Sequence, residues 1–248
     1  GKNNVQIGGS YKIANDTKTF GFLYEGPLDG SGEWTTISPN DGNTFMVFVH
    51  SVMGGYAVGN YDTTPINGYA FIYNIDTKEF IEIAPEGAYS TSVYGIWHNG
   101  GTSYTLAGGC SFEGPGKISQ GFIVDWDSKT KETSNWKTYQ YMNQNVKSII
   151  SHFEGITSDE KGGYNLPCDW IGLEKENGFP LESGGAFVNI KRNEDGTFSD
   201  AEWVPLEFPI NGSSISANTA YKNNILGIYI LSDNNGGKLK MSYNAKVV

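Results

Sequence analysis

Charge and cysteine are both scarce in this sequence. Asp, Glu, Lys and Arg make up 18% of the 248 residues, with 17 basic against 27 acidic side chains. The net charge of -10 repels phosphate backbones, which argues against nucleic acid as a partner. No run of about 18 apolar residues occurs, so no membrane-spanning helix is expected. The opening residues carry no charged-then-apolar leader. Only two cysteines are present, Cys110 and Cys168. They form one disulfide in an oxidising compartment, or they sit buried as free thiols. There is no C-x-x-C and no H-E-x-x-H, so the standard zinc and redox motifs are missing and no cofactor is expected. Histidine is rarer still, with three in the chain.

Glycine and aromatics are plentiful: 33 Gly, and 14% Phe, Trp and Tyr. That balance favours strands and turns over helices. The length allows one large all-β domain or two small ones.

The chain repeats itself. A Gly-introduced alternating aromatic run recurs as GFLYEG (21–26), GYAFIYN (68–74), GFIVDWD (121–127) and GAFVNIK (185–191), with KLKMSYN (238–244) lacking its Gly. Each of the first four is followed by a run opened by an aromatic: EWTTISP (33–39), EFIEIAP (79–85), NWKTYQY (135–141) and EWVPLEF (202–208). Two further strand-like classes lie between. One is FMVFVHS, SVYGIWH, KSIISHF and SSISANT; the other is SYKIAND, YAVGNYD, SYTLAGG, YNLPCDW and ILGIYILSD. Four short strands at a period near 50 residues are the mark of a propeller blade. The expected architecture is therefore all-β: a single five-bladed β-propeller of four-stranded blades. The blades run approximately over 1–40, 41–86, 87–142, 143–210 and 211–248. The first would begin with strands at 3–6 and 10–16, and the last would close on the stub AKVV.

The stretch GFLYEGPLDGSGEWTTISP, with GGYAVGNYD and then SVYGIWHNGG, resembles the bacterial extracellular repeats called HAF repeats. The resemblance covers about half the chain by motif and all of it by period. It implies a secreted or surface β-propeller, and it implies no reaction.

His50 and His98 share a local frame: each is followed six residues later by a Tyr, with a Gly pair between. Aligned on that frame, His50, His98, His152 and Asn218 fall at the end of the first strand of successive blades, near the channel mouth. Three readings stand. A His can satisfy its own turn, as Asn does; the rings converge on a ligand or a divalent metal; or they line a polar channel that holds water or a small ligand. Trp97 and Phe153 adjoin these histidines and are the stacking candidates for a glycan or small molecule. Trp34, Phe80, Trp136 and Trp203 share another position, as blade-packing residues or sugar platforms. Long insertions at 108–120 and 169–185 suggest binding loops on one rim.

The expected function is a monomeric secreted or surface binding module for a glycan or small molecule. The alternative is a glycoside hydrolase, which needs two carboxyls flanking the bond. Glu154 is the sole acid on the first strands, with a rim Asp such as Asp169 as its partner. Asp16, Asp62 and Asp233 end the second strands and read as turn-formers.

Overall fold

The computed structural model describes residues 4–39, 43–64, 67–112, 119–142, 147–173, 180–207, 214–232 and 238–247. No helix occurs among them, hence none long and apolar enough to cross a membrane. The strands form five antiparallel meanders in chain order. The first has β1 (Asn4–Tyr11), β2 (Phe20–Pro27) and β3 (Glu33–Ile37). The second has β4 (Met46–Met53), β5 (Tyr56–Thr64), β6 (Asn67–Asn74) and β7 (Phe80–Ile83). The third has β8 (Ser90–Gly100), β9 (Ser103–Ser111), β10 (Ser119–Asp127) and β11 (Thr133–Tyr139). The fourth has β12 (Lys147–Phe153), β14 (Tyr164–Leu173), β15 (Pro180–Arg192) and β16 (Phe198–Pro205), with the two-residue β13 (Thr157–Ser158) beside β14. The last has β17 (Ser214–Tyr221), β18 (Asn224–Ser232) and β19 (Lys238–Lys246).

The all-β reading and the order of strand classes hold. The two end meanders differ from expectation, each having three strands among the described residues. The segments 3–6 and 10–16 do not make two strands: β1 is a single strand, paired with β2 from Asn4↔Pro27 to Tyr11↔Phe20. At the far end β19 runs on through Lys246, taking Ala245 and Lys246 of the expected stub. The region 169–185 is largely a hairpin extension, paired from Asp169↔Gly185 outward to Leu173↔Pro180. Residues 113–118 and 174–179, and Asp233, lie outside the described residues.

The middle strands explain why the meanders stack. In SYTLAGGCS every residue from Tyr104 to Cys110 is buried, so both faces of β9 must be covered. The fourth strands are more exposed and polar, as in β16, which suits a solvated edge. Four slabs of core result, one per interface. Leu23, Val47, Val49 and Phe71 fill the first; Ile72, Val93, Leu106 and Trp126 the second; Ile123, Phe153, Leu166 and Val188 the third. The last slab is small: Phe187, Ala217 and Ile225. Fully burying each large side chain contributes about 1.5–3 kcal/mol. Phe80, Trp136 and Trp203 pack against these slabs, whereas Trp34 is 61% exposed. No extensive contact joins β17–β19 to β1–β3 among the described residues, and their outer faces leave Ile7, Tyr11, Leu226 and Ile228 exposed.

Neighbouring meanders also hook together at one recurring place. The residue before β2, and the starts of β6 and β10, reach the first strand of the next meander, and the β10–β12 pairing joins the third and fourth meanders into one nine-stranded sheet. Thr19 forms a parallel bridge with Met46, the Gly68 N–H donates to Ser90 Oγ at 3.1 Å, and Ser119 bridges Ile150. Both cysteines are buried free thiols. Burial raises the Cys110 pKa to about 12 and that of Cys168 well above the usual thiol value.

Candidate functional site

A bulge recurs in the first strand of the second, third and last meanders, and it shapes the site. In β4, Val49 pairs with Gly59 and Ser51 with Val58, which leaves His50 as the extra residue. Tyr94 is the extra residue in β8, opposite Gly108, and Asn218 in β17, opposite Gly227. A Cβ on Gly59, Gly108 or Gly227 would lie 1.8, 1.9 or 1.9 Å from the carbonyl oxygen of Phe48, Ser92 or Ser216. Only glycine permits that approach, so the bulge and the glycine form one device. In β12 the ladder ends at Phe153↔Cys168, and the Glu154 N–H then donates to Pro167 O at 2.9 Å. Glu154 thus stands where His50 and Tyr94 stand in the preceding meanders.

This corrects the frame suggested by the repeat. The counterpart of His50 is Tyr94, not His98. Met53 pairs with Tyr56 across Gly54–Gly55, but the β8–β9 hairpin adds a second bulge at Asn99 before Gly100↔Ser103. A gapless match on the Gly pairs therefore slips the register. His98 pairs with Tyr104 near the turn; its Nε2 lies 3.1 Å from Gly101 O and its ring stacks on Tyr104 at 4.6 Å. It serves its own turn.

The rings of His50, Tyr94 and His152, from three successive meanders, form a row. Centroids are 4.4 Å apart for His50–Tyr94 and 5.8 Å for Tyr94–His152. His50 keeps an exposed surface, yet burial among neighbours lowers its pKa. A side chain on the wall of a recess has both properties. Its Nε2–H donates to Asn60 Oδ1 at 2.9 Å, and Asn60 Nδ2 donates to Asp62 Oδ1 at 3.4 Å. Asp62 is therefore a wall residue rather than a turn-former, and burial raises its pKa. Asp16 does form its turn, accepting from the Lys18 N–H at 2.9 Å.

Ser119 settles the tautomer of His152. Its hydroxyl donates to Cys110 O at 3.3 Å, so it accepts from His152 Nε2–H at 2.8 Å. The Nδ1 lone pair of His152 then faces Glu154 Oε1 at 3.9 Å. This is not an ion pair at neutral pH. Burial lowers the His152 pKa to about 4, while burial and then the charge of Asp169 raise Glu154 to about 8. Asp169, across the ladder from His152, is raised to about 6 by burial, against the Ala217 N–H it accepts at 2.5 Å. Tyr94 is pushed up by burial first and by Glu154 second. Near pH 7 the recess holds two neutral imidazoles, a neutral phenol, a protonated Glu154 and a largely ionised Asp169.

Of the residues expected here, His50 and His152 are brought together. Asn218 occupies the same repeat position on β17, exposed, its Oδ1 accepting from Ser216 Oγ at 2.9 Å. Phe153 is fully buried between Tyr139 and Trp203 and offers no stacking face. Trp97 lines a separate cleft of about 470 Å³ between the third and fourth meanders. Arg192 dominates that cleft: it grips Asp125 through Nη1 at 2.8 Å and Nη2 at 2.5 Å, and donates to Thr105, Tyr164 and Gly196 O. Tyr94, Ser119 and Asn60 were missed from sequence. The repeated small residue opposite each bulge is the signal that finds Tyr94. No group of three His, Cys, Asp or Glu able to hold a metal occurs among the described residues.

No family model and no curated protein matches the chain. Among solved structures, it is similar to an ulvan lyase of a new polysaccharide lyase family, PL25, with a TM-score of 0.50 and 12% identity. The match covers 92% of this chain and 58% of the lyase, so the chain spans less than two thirds of that protein's length. TolB from Acinetobacter baumannii follows at a TM-score of 0.38 and 9% identity, over 98% of this chain and 64% of TolB. The likeness to the lyase is one of fold, and that fold is propeller-like.

Proposed function

We propose that the five meanders are blades of a β-propeller that binds a glycan in the recess of His50, Tyr94, His152 and Glu154. The unused hydrogen-bonding capacity of the recess carries this reading. Among the described residues His50 and His152 are each hydrogen-bonded through Nε2, leaving an Nδ1 acceptor. The Glu154 carboxyl makes no hydrogen bond among the described residues and lies 3.9 Å from His152 Nδ1. These groups remain partly open to solvent, so the hydroxyls of a sugar can take the place of water on them. The ring row adds apolar surface for a sugar ring. The repeat resemblance supports action outside the cell. A glycan array followed by calorimetry tests the proposal. Binding that falls at least tenfold in both His50→Ala and Tyr94→Ala is expected; no binding across the array overturns it.

A second reading is favoured by one observation. Glu154 holds its proton at neutral pH beside an Asp169 that has lost its own, the division of roles a hydrolytic acid and base require. Turnover of chromogenic glycosides that disappears in a folded Glu154→Gln variant would establish hydrolysis. Binding without turnover would leave the protein a lectin-like module.

A further inference from the structure

We propose that copies of this chain associate head to tail, the outer face of the first meander in one copy seating against the outer face of the last meander in another. The proposal does not depend on the glycan reading. It starts from the interface that the fold repeats. Strands β6, β10 and β15 each send alternate residues to opposite sides. On β6, Phe71 and Tyr73 turn back to the slab shared with the first meander, while Ala70 and Ile72 turn forward to the third. On β10, Phe122, Val124 and Trp126 turn back and Ile123 turns forward. On β15, Val188 and Ile190 turn back and Phe187 turns forward. Each slab thus sets the forward face of one meander against the backward face of the next.

The two ends of the array each keep one half of such an interface. On β2, Leu23 turns forward into the first slab, and Phe20, Phe22 and Tyr24 lie on the other side. Their ladder partners share that side: Tyr11, Gly9 and Ile7 on β1, and Trp34 beside Tyr24. The Phe22 ring lies over Gly9, where a Cβ would meet it at 2.6 Å, and stands 5.3 Å from the Trp34 ring. This backward face is aromatic, and Ile7, Tyr11 and Trp34 are exposed on it. On β18, Ile225 turns back into the last slab, and Leu226 and Ile228 form an exposed forward face. A repeat that ends an array carries a polar outer face. Both ends here present apolar side chains instead, whereas the middle strand β9, inside the array, is covered on both sides. Within one chain the two faces stand apart: no extensive contact joins β1–β3 to β17–β19 among the described residues. A second copy supplies the unlike face that each end requires. Such a joint is heterologous, and it closes a ring or extends.

Sedimentation equilibrium over a concentration series tests this. The wild-type mass is expected to rise above that of one chain as concentration increases. Ile7→Glu spoils the first face and Ile228→Glu the last, so each variant alone should associate at least tenfold more weakly. Mixed, the two should recover a one-to-one pair that grows no further, because each retains the face that the other lacks. A wild-type protein that stays a single chain throughout overturns the proposal. So does either variant associating as the wild type does. A mixture that fails to pair while the wild type associates also overturns it, since like faces would then be joining. Unfolding curves of dilute samples check that both variants fold; Trp34→Glu or Leu226→Glu takes the place of one that does not.

Discussion

His152 Nε2 lies 2.8 Å from Ser119 Oγ at the seam where β10 of the third meander meets β12 of the fourth. The serine is at once part of the inter-sheet bridge and the acceptor that orients a recess imidazole. Ser119→Ala should therefore disturb the ring before it disturbs the fold. Nitrogen-15 spectra are expected to show His152 as the Nε2–H tautomer in the native protein and as a mixture in the variant. An unchanged tautomer would detach His152 from the seam. The unsatisfied donor should cost about 1–3 kcal/mol.

The pH dependence of stability follows from Glu154. Its folded pKa of about 8 stands above the ordinary 4.5. Below 4.5 both states carry the proton. Between 4.5 and 8 the folded state holds a proton that the unfolded chain has lost, so stability falls as pH rises. Asp169 adds the same trend between 3.8 and 6. His152 opposes it: with a folded pKa near 4 against 6.5, its contribution is lost as pH falls through that window. Glu154→Gln should raise Tm at pH 8 and leave it nearly unchanged at pH 4.5. Parallel Tm profiles for the two proteins would contradict this.

The glycine opposite each bulge admits no side chain. Gly108→Ala would set a methyl 1.9 Å from the Ser92 carbonyl oxygen, and relief requires moving Tyr94. Overpacking of this kind costs about 1–3 kcal/mol. Thermal unfolding should show the loss, and calorimetry should show weaker glycan binding. A variant of native stability would mean that the bulge relaxes without cost.

Arg192 braces two meanders through a bidentate pair with Asp125 and lies 4.5 Å from the Phe198 ring centroid. Removing one partner of such a pair leaves a partly buried charge behind. Arg192→Ala should lower stability by about 3 kcal/mol, measured by urea unfolding. Glycan affinity should not change, because the brace stands apart from the recess. Reduced affinity at full stability would reassign the cleft.

Most of the architecture was legible because strand class is written in local pattern: a Gly before alternating aromatics gave β2, β6, β10 and β15. The ends were less so. NNVQIGGSY reads as two runs broken by Gly8–Gly9, but Gly8 sits where a Cβ would meet Val49 at 2.5 Å. Its glycine serves packing, not a turn. The site was half legible. His50 and His152 stood out because histidine is rare here. Tyr94 hid among 15 tyrosines, and a bulge leaves no mark in composition. Asp169 was visible only as a partner for Glu154, since its hydrogen bond comes from β17, far along the chain.

Among the described residues the extensive contacts of each meander are with its neighbours, so the molecule behaves as a short one-dimensional array. Free energy accumulates interface by interface, and a defect at one slab is felt only next door. Among the described residues the slab under β17–β19 is the smallest. Opening should begin there and travel inward, so backbone amides of β18 exchange with solvent before those of β9. The Ala217 N–H that Asp169 accepts belongs to that first-opening element. Fraying of the last meander therefore releases Asp169 while the ring row stays in place, and a ligand gripping that carboxylate would slow the opening of strands it never touches.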